Sequence, residues 1–137
     1  MSGPLRIGTR LRAAAAMALI PPLLDAVPLT RLARWLGGLR PPQGTNLDEP
    51  ALALWVDRRL TDLPRPWKRT CLKRSAVLYY LLRNAGLPVH LHIGVRKSAA
   101  GALQAHAWLV RDGVPFLEPD RSEHLGFAVI AAFPEPR

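Results

Sequence analysis

The hydrophobic period of the chain changes once, at Gly86-Leu87-Pro88, and that change limits the class of fold it can reach. Before it, apolar residues recur at helical spacing; after it, they alternate. The run Cys71-Leu72-Lys73-Arg74-Ser75-Ala76-Val77-Leu78-Tyr79-Tyr80-Leu81-Leu82-Arg83-Asn84 reads as a strong helix, with Thr70 as its N-cap, Gly86 as its C-terminal signal and Pro88 beyond. Its apolar residues are spread so widely around the circumference that it should be the central helix, buried on most sides. Residues 88–95, 104–110, 114–117 and 127–132 read as strands, the second and third joined by a turn at Asp112-Gly113. Helices first and an antiparallel meander afterwards make an α+β fold, with N-terminal helices and a central helix packed on a small antiparallel sheet.

Upstream, residues 5–20 hold good helix formers, and Pro21-Pro22 should end that helix or kink it sharply. A short helix over 30–35 stops at Gly37-Gly38. After the loop Arg40-Pro41-Pro42-Gln43-Gly44, Asn46 or Asp48 caps another helix, which tolerates Pro50 in its first turn and carries a stripe of Leu52, Trp55, Val56, Arg59 and Leu60. The 137 residues fit one domain. A chain of this size buries roughly two-thirds of its unfolded surface. Within that domain, residues 1–66 form an N-terminal helical region and residues 67–137 the core expected to carry the chemistry.

A single cysteine excludes an intramolecular disulfide framework and a cysteine-cluster metal site, and it suits a reducing compartment, so the cytoplasm is the expected location. The four histidines, His90, His92, His106 and His124, lack helical His-x-x-x-His spacing, and no metal is expected. A net charge of +9 suits nucleic acid, an anionic membrane surface or an acidic protein. The basic residues are scattered without interleaved aromatics, which argues for a solvated basic face and against nucleic acid as a partner. Arg10 and Arg12 precede an apolar run, residues 13–20, that imitates a signal-peptide core. Pro21-Pro22 interrupts the run, no small-x-small cleavage site follows, and it is too short to span a bilayer, so a helix packed on the domain is expected. The alternative reading of the whole chain is a basic nucleic-acid- or membrane-surface-binding module with no catalysis.

The chemistry-bearing residues fall in a telling order. A thiol at Cys71, in the first turn of a helix, feels the positive end of the macrodipole and unpaired backbone N–H groups, both of which favour thiolate. His106 follows on a strand, and Glu118 and Asp120 lie beyond the turn, so nucleophile, base and carboxylate occur in an order a cysteine-hydrolase triad can use. The hairpin decides which carboxylate reaches the imidazole. A two-residue loop at Asp112-Gly113 would oppose Val110 to Pro115 and put Glu118 on the face away from His106. A three-residue loop, Arg111-Asp112-Gly113 with Gly113 left-handed in a bulge, would set His106 directly opposite Glu118 with Cβ atoms ~5 Å apart and leave Asp120 as the diagonal alternative at ~7–8 Å. The expected triad uses the second. Trp108 shares the face of His106, where it either packs in the core or shields the imidazole from water. Trp67, in the loop before Cys71, is a candidate support for an oxyanion site. Buried hydrogen-bonding roles are expected for Arg74 and Ser75, and His90 and His92 share a strand face that could line a cleft.

The segments from Cys71 to Tyr79, Gly86-Leu87-Pro88, Ile93-Gly94-Val95-Arg96, His106-Ala107-Trp108 and Asp112-Gly113 resemble the stand-alone leader peptidases of lasso-peptide biosynthesis, the protease half of a split B protein, within the transglutaminase-like cysteine protease superfamily. The resemblance covers residues 69–120; the N-terminal part is similar only in length and character. It implies a transglutaminase-like, papain-like core and a peptidase that removes the leader from a ribosomally made precursor, freeing the core peptide for macrolactam formation. The partners it implies are the precursor peptide, a small leader-recognition protein and a separate macrolactam cyclase; it implies no cofactor. By the same resemblance Cys71 is nucleophile, His106 base and Glu118 the third member. Aspartate is usual there, so glutamate is a departure, and Asp120 is the alternative.

Overall fold

Capping chemistry sets the helix starts in the computed structural model, which describes residues 7–36, 48–64, 70–118 and 126–134. The helices are α1 (Ile7–Ala26), α2 (Leu29–Leu36), α3 (Glu49–Thr61) and α4 (Cys71–Asn84). The Asp48 carboxylate accepts the Ala51 N–H at 3.0 Å and Pro50 sits in the first turn of α3, while the Thr70 hydroxyl accepts the Lys73 N–H at 3.2 Å at the mouth of α4. At the far end of α4 the chain leaves through Gly86, at φ 94, and the Leu87 N–H turns back to the Leu82 carbonyl at 3.0 Å.

Pro21-Pro22 does not end α1, which runs through both prolines to Ala26. An interior proline removes a backbone hydrogen bond and costs about 3 kcal/mol or more in a helix. Here the surrounding helix is held by tertiary packing: Ala13, Ala16, Met17 and Ile20 are buried in the common core, Pro21 is buried beside them, and the Val27 N–H still closes on the Leu23 carbonyl at 2.8 Å.

The strands are β1 (His90–Lys97), β2 (Leu103–Arg111), β3 (Val114–Pro115) and β4 (Ala128–Phe133), antiparallel throughout and ordered β3-β2-β1-β4. The first three form the expected meander. The fourth departs from it, pairing with β1 at the opposite edge. β3 is only two residues long and the chain turns away at Leu117, φ 58, so it offers a fourth strand no edge. The connecting turn also differs from the three-residue loop expected. Arg111 pairs with Val114 and Val110 with Pro115, and Asp112 and Gly113 both take positive φ, 54 and 80, as a two-residue type I′ turn requires. Aspartate tolerates the left-handed region, so Asp-Gly supplies both residues without a bulge.

The central helix α4 is buried over residues 74–79 and 81–83. Val77, Leu78, Leu81 and Leu82 share one buried cluster with Leu91, Ala107, Leu109 and Phe133 of the sheet, Leu52, Val56 and Leu60 of α3 and the buried stripe of α1. Tyr79 is wholly buried, and among the described residues its hydroxyl has no partner. Burial pushes its pKa above the ordinary tyrosine value, against a lesser lowering influence of the Arg83 guanidinium. An unpaired buried hydroxyl destabilises the fold. Tyr79→Phe is therefore expected to raise stability by about 1 kcal/mol, a gain of a few degrees in Tm by calorimetry; an unchanged or lowered Tm would show that the hydroxyl is satisfied in solution.

Candidate active site

β3 stops after Pro115, so β2 must complete its outer edge without a strand beside it. The Leu109 carbonyl still accepts the Phe116 N–H at 2.9 Å. Leu117 then takes the chain out of the ladder, and the Leu109 N–H is met by a side chain, donating to Glu118 Oε1 at 2.6 Å. Two residues back, the Ala107 carbonyl accepts the Ser75 hydroxyl at 3.3 Å. That contact ties the N-terminal turns of α4 to β2. Cys71 opens α4 four residues before Ser75, about 6 Å along the helix axis. It is half-buried, packed on the rim of the core with a face toward solvent.

His106 is 9% exposed and held by aromatic rings. Its imidazole stacks on Trp108 at 5.5 Å between centroids and lies against Phe127 at 5.3 Å, while Trp108, 3% exposed, meets His92 edge-on at 5.9 Å. Trp108 thus packs in the interior and covers the imidazole at once. Gly94 is the β1 partner of His106 and leaves the room these rings occupy: a Cβ there would lie 2.9 Å from Phe127 Cβ and 2.9 Å from Trp108 Cη2. Neither Gly94 nor Phe127 was singled out for the site from sequence. A glycine inside a strand marks a close approach and could have pointed to the first. Nothing in the local pattern could link Phe127 to His106, because β4 arrives by an unexpected crossover.

The buried Arg74 and Ser75 hydrogen bonds expected from sequence are present. Arg74 donates through Nε to Asp57 Oδ1 at 2.7 Å, through one terminal nitrogen to Glu118 Oε2 at 3.3 Å, and through the other to the Leu117 carbonyl. Glu118 therefore spans Arg74 and the edge of β2. With the two-residue turn, the ladder has no rung joining His106 to Glu118. Trp67 and Asp120 lie outside the described residues. His90 and His92 are both half-buried on β1, on the face shared with Trp108 and His106. Among the described residues, no three His, Cys, Asp or Glu side chains converge to hold a metal ion, and no helix is long and apolar enough to cross a membrane.

A central helix that opens on a cysteine, packed against an antiparallel sheet whose second strand carries a histidine, makes this an α+β protein. Residues 16–132 match the model of the transglutaminase-like superfamily, and the chain belongs to that superfamily, which includes cysteine peptidases. The match begins inside α1 and ends in β4, so it takes in the N-terminal helices as well as the sheet. No curated protein and no solved structure matches the chain.

Gly94→Ala should force the aromatic cluster apart and cost about 1–3 kcal/mol, read as a lowered urea midpoint at unchanged m-value. His92 titrates below the ordinary histidine value, chiefly because burial disfavours its charged form and secondarily because His90 is near. The unfolded chain then binds the proton more readily, so stability falls as pH drops below about 6.5 and levels off only below the folded-state pKa. His92→Gln should flatten that part of the pH dependence in thermal melts between pH 7 and 5.

Proposed function

We propose that the protein is a cysteine peptidase that removes the leader from a ribosomally synthesised precursor peptide. The observation that supports this reading is the Ser75–Ala107 contact, which ties the helix that opens on Cys71 to the strand that carries His106. The superfamily's inclusion of cysteine peptidases supports the class of reaction. The motif resemblance to lasso-peptide leader peptidases supports the substrate.

In this reading the Cys71 thiolate, paired with the His106 imidazolium, attacks the scissile carbonyl, and N–H groups at the start of α4 stabilise the oxyanion. Trp67 supports that oxyanion site. His106 gives its proton to the leaving amine, which becomes the N-terminus of the core peptide, and then activates water to hydrolyse the thioester. A carboxylate fixes the imidazole tautomer. Glu118 already accepts from Arg74 and from the Leu109 N–H, so the role is assigned to Asp120, two residues further on. A small recognition protein presents the leader, and a separate cyclase takes the released core peptide.

The test is cleavage of the co-encoded precursor, with its recognition partner present, followed by mass spectrometry. Cys71→Ala should abolish cleavage, and His106→Ala and Asp120→Ala should each lower kcat by about 1,000-fold or more. Full activity in Cys71→Ala would end the peptidase reading. A larger loss in Glu118→Gln than in Asp120→Ala would return the third role to Glu118.

A further inference from the structure

A fixed, unneutralised cation stands beside His106. In the β1–β2 ladder His106 pairs with Gly94 and Gln104 with Arg96, so Arg96 is the diagonal neighbour of His106 on the same face of the sheet, and Gly94 puts no side chain between them. The Arg96 guanidinium lies over the Phe127 ring, 4.3 Å from its centroid, and that ring leans on the imidazole at 5.3 Å. Across the ladder, Arg96 Nε donates to Gln104 Oε1 at 2.9 Å.

Such restraint sets Arg96 apart from an ordinary exposed arginine, which keeps its rotamer freedom in water. Stacking on Phe127 orients the plane of the guanidinium and the bond to Gln104 anchors its Nε edge. Both restraints are neutral. Among the described residues no carboxylate pairs with Arg96, whereas Arg74 and Arg111 each meet a glutamate. The amide of Gln104 stands where a carboxylate would have cancelled the charge. A guanidinium that keeps its full charge while its fork is held in place is a receptor for a planar anion, and a carboxylate matches that fork with two parallel hydrogen bonds. Because the side chain is already ordered, little of its freedom remains to be lost when the anion binds.

We infer that Arg96 is a substrate-binding residue that selects an acidic side chain of the peptide close to the cleaved bond. The inference rests on the peptidase reading above, which puts the scissile carbonyl at His106. Two ring contacts separate the guanidinium from the imidazole. An extended peptide advances about 3.3 Å per residue, so the selected aspartate or glutamate lies within about three residues of that bond.

Arg96→Gln and Arg96→Lys should be made in the full chain. The co-encoded precursor should be made in forms in which each aspartate or glutamate within about three residues of the cleaved bond is changed to its amide. Steady-state cleavage with the recognition partner present, followed by mass spectrometry, gives kcat and KM. Arg96→Gln should raise KM about 10-fold with kcat within about twofold of wild type, and the wild-type KM should rise with added NaCl. One amide precursor should show the same loss with the wild-type enzyme and no further loss with Arg96→Gln. Arg96→Lys, which keeps the charge without the fork, should fall between. An unchanged KM in Arg96→Gln would overturn the inference, as would equal losses on acidic and amide precursors, or efficient cleavage of a precursor with no acidic residue in that stretch. A fall in kcat at constant KM would overturn it too, and would make Arg96 a support of the Phe127–His106 contact instead. Should Arg96→Gln misfold, the amide precursors decide on the wild-type enzyme, where an unchanged KM for every one of them rejects the inference. Failure of the underlying reading looks different: the wild-type chain would then leave every precursor whole.

Discussion

The outer edge of β2 is where helix and sheet meet, and the site depends on how that edge is finished. A β-strand whose neighbour stops short exposes peptide groups that must find partners. Here two side chains take the place of backbone. Glu118 supplies the acceptor that a longer β3 would have offered to Leu109, and Ser75 supplies a donor for Ala107. Because Ser75 stands one turn inside α4, satisfying the edge also fixes how far the helix slides along the strand. The separation between the stretch carrying Cys71 and the stretch carrying His106 is thereby set by backbone hydrogen-bonding needs that exist whether or not any chemistry occurs.

The same economy appears in the electrostatics. Arg74 meets two carboxylates, Asp57 and Glu118, one on α3 and one past β3. A lone buried guanidinium would be prohibitive, and two carboxylates facing each other would repel; interleaved, each relieves the other. The three elements α3, α4 and the β3 corner are joined by groups that make sense only when all are present. Apolar packing of Leu52, Val56 and Leu60 against α4 provides the bulk attraction, and the charged trio specifies the register at which it occurs.

Much of this was readable in the sequence. Thr70, Asp48 and Gly86 announced helix boundaries through side-chain caps and a left-handed exit, and the strands declared themselves by period, because these signals are local. The misreadings were nonlocal or nearly degenerate. Pro21-Pro22 reads equally as a stop or as a kink, and only the buried face of α1 shows that the helix goes on to Ala26. Asp112-Gly113 is compatible with two loops that differ by one residue, and the choice reverses every side chain beyond it. The place of β4 depends on β3 being too short to pair, which follows from the left-handed turn at Leu117, a residue with no sequence signature for it. Cys71 and His106 stood out because helix start and strand alternation bracket them; Gly94 and Phe127, which shape the surroundings of the imidazole, belong to two strands brought together only by the fold.

The aromatic stack around His106 carries a consequence for how that ring moves. Trp108 stacks on the imidazole face and Phe127 leans against the ring at a tilt of 39°. A ring clasped in this way has little freedom to swivel. Gly94, by contributing no side chain at all, is what lets hydrocarbon rather than solvent do the clasping, so the smallest residue in the sheet governs how still the imidazole is kept.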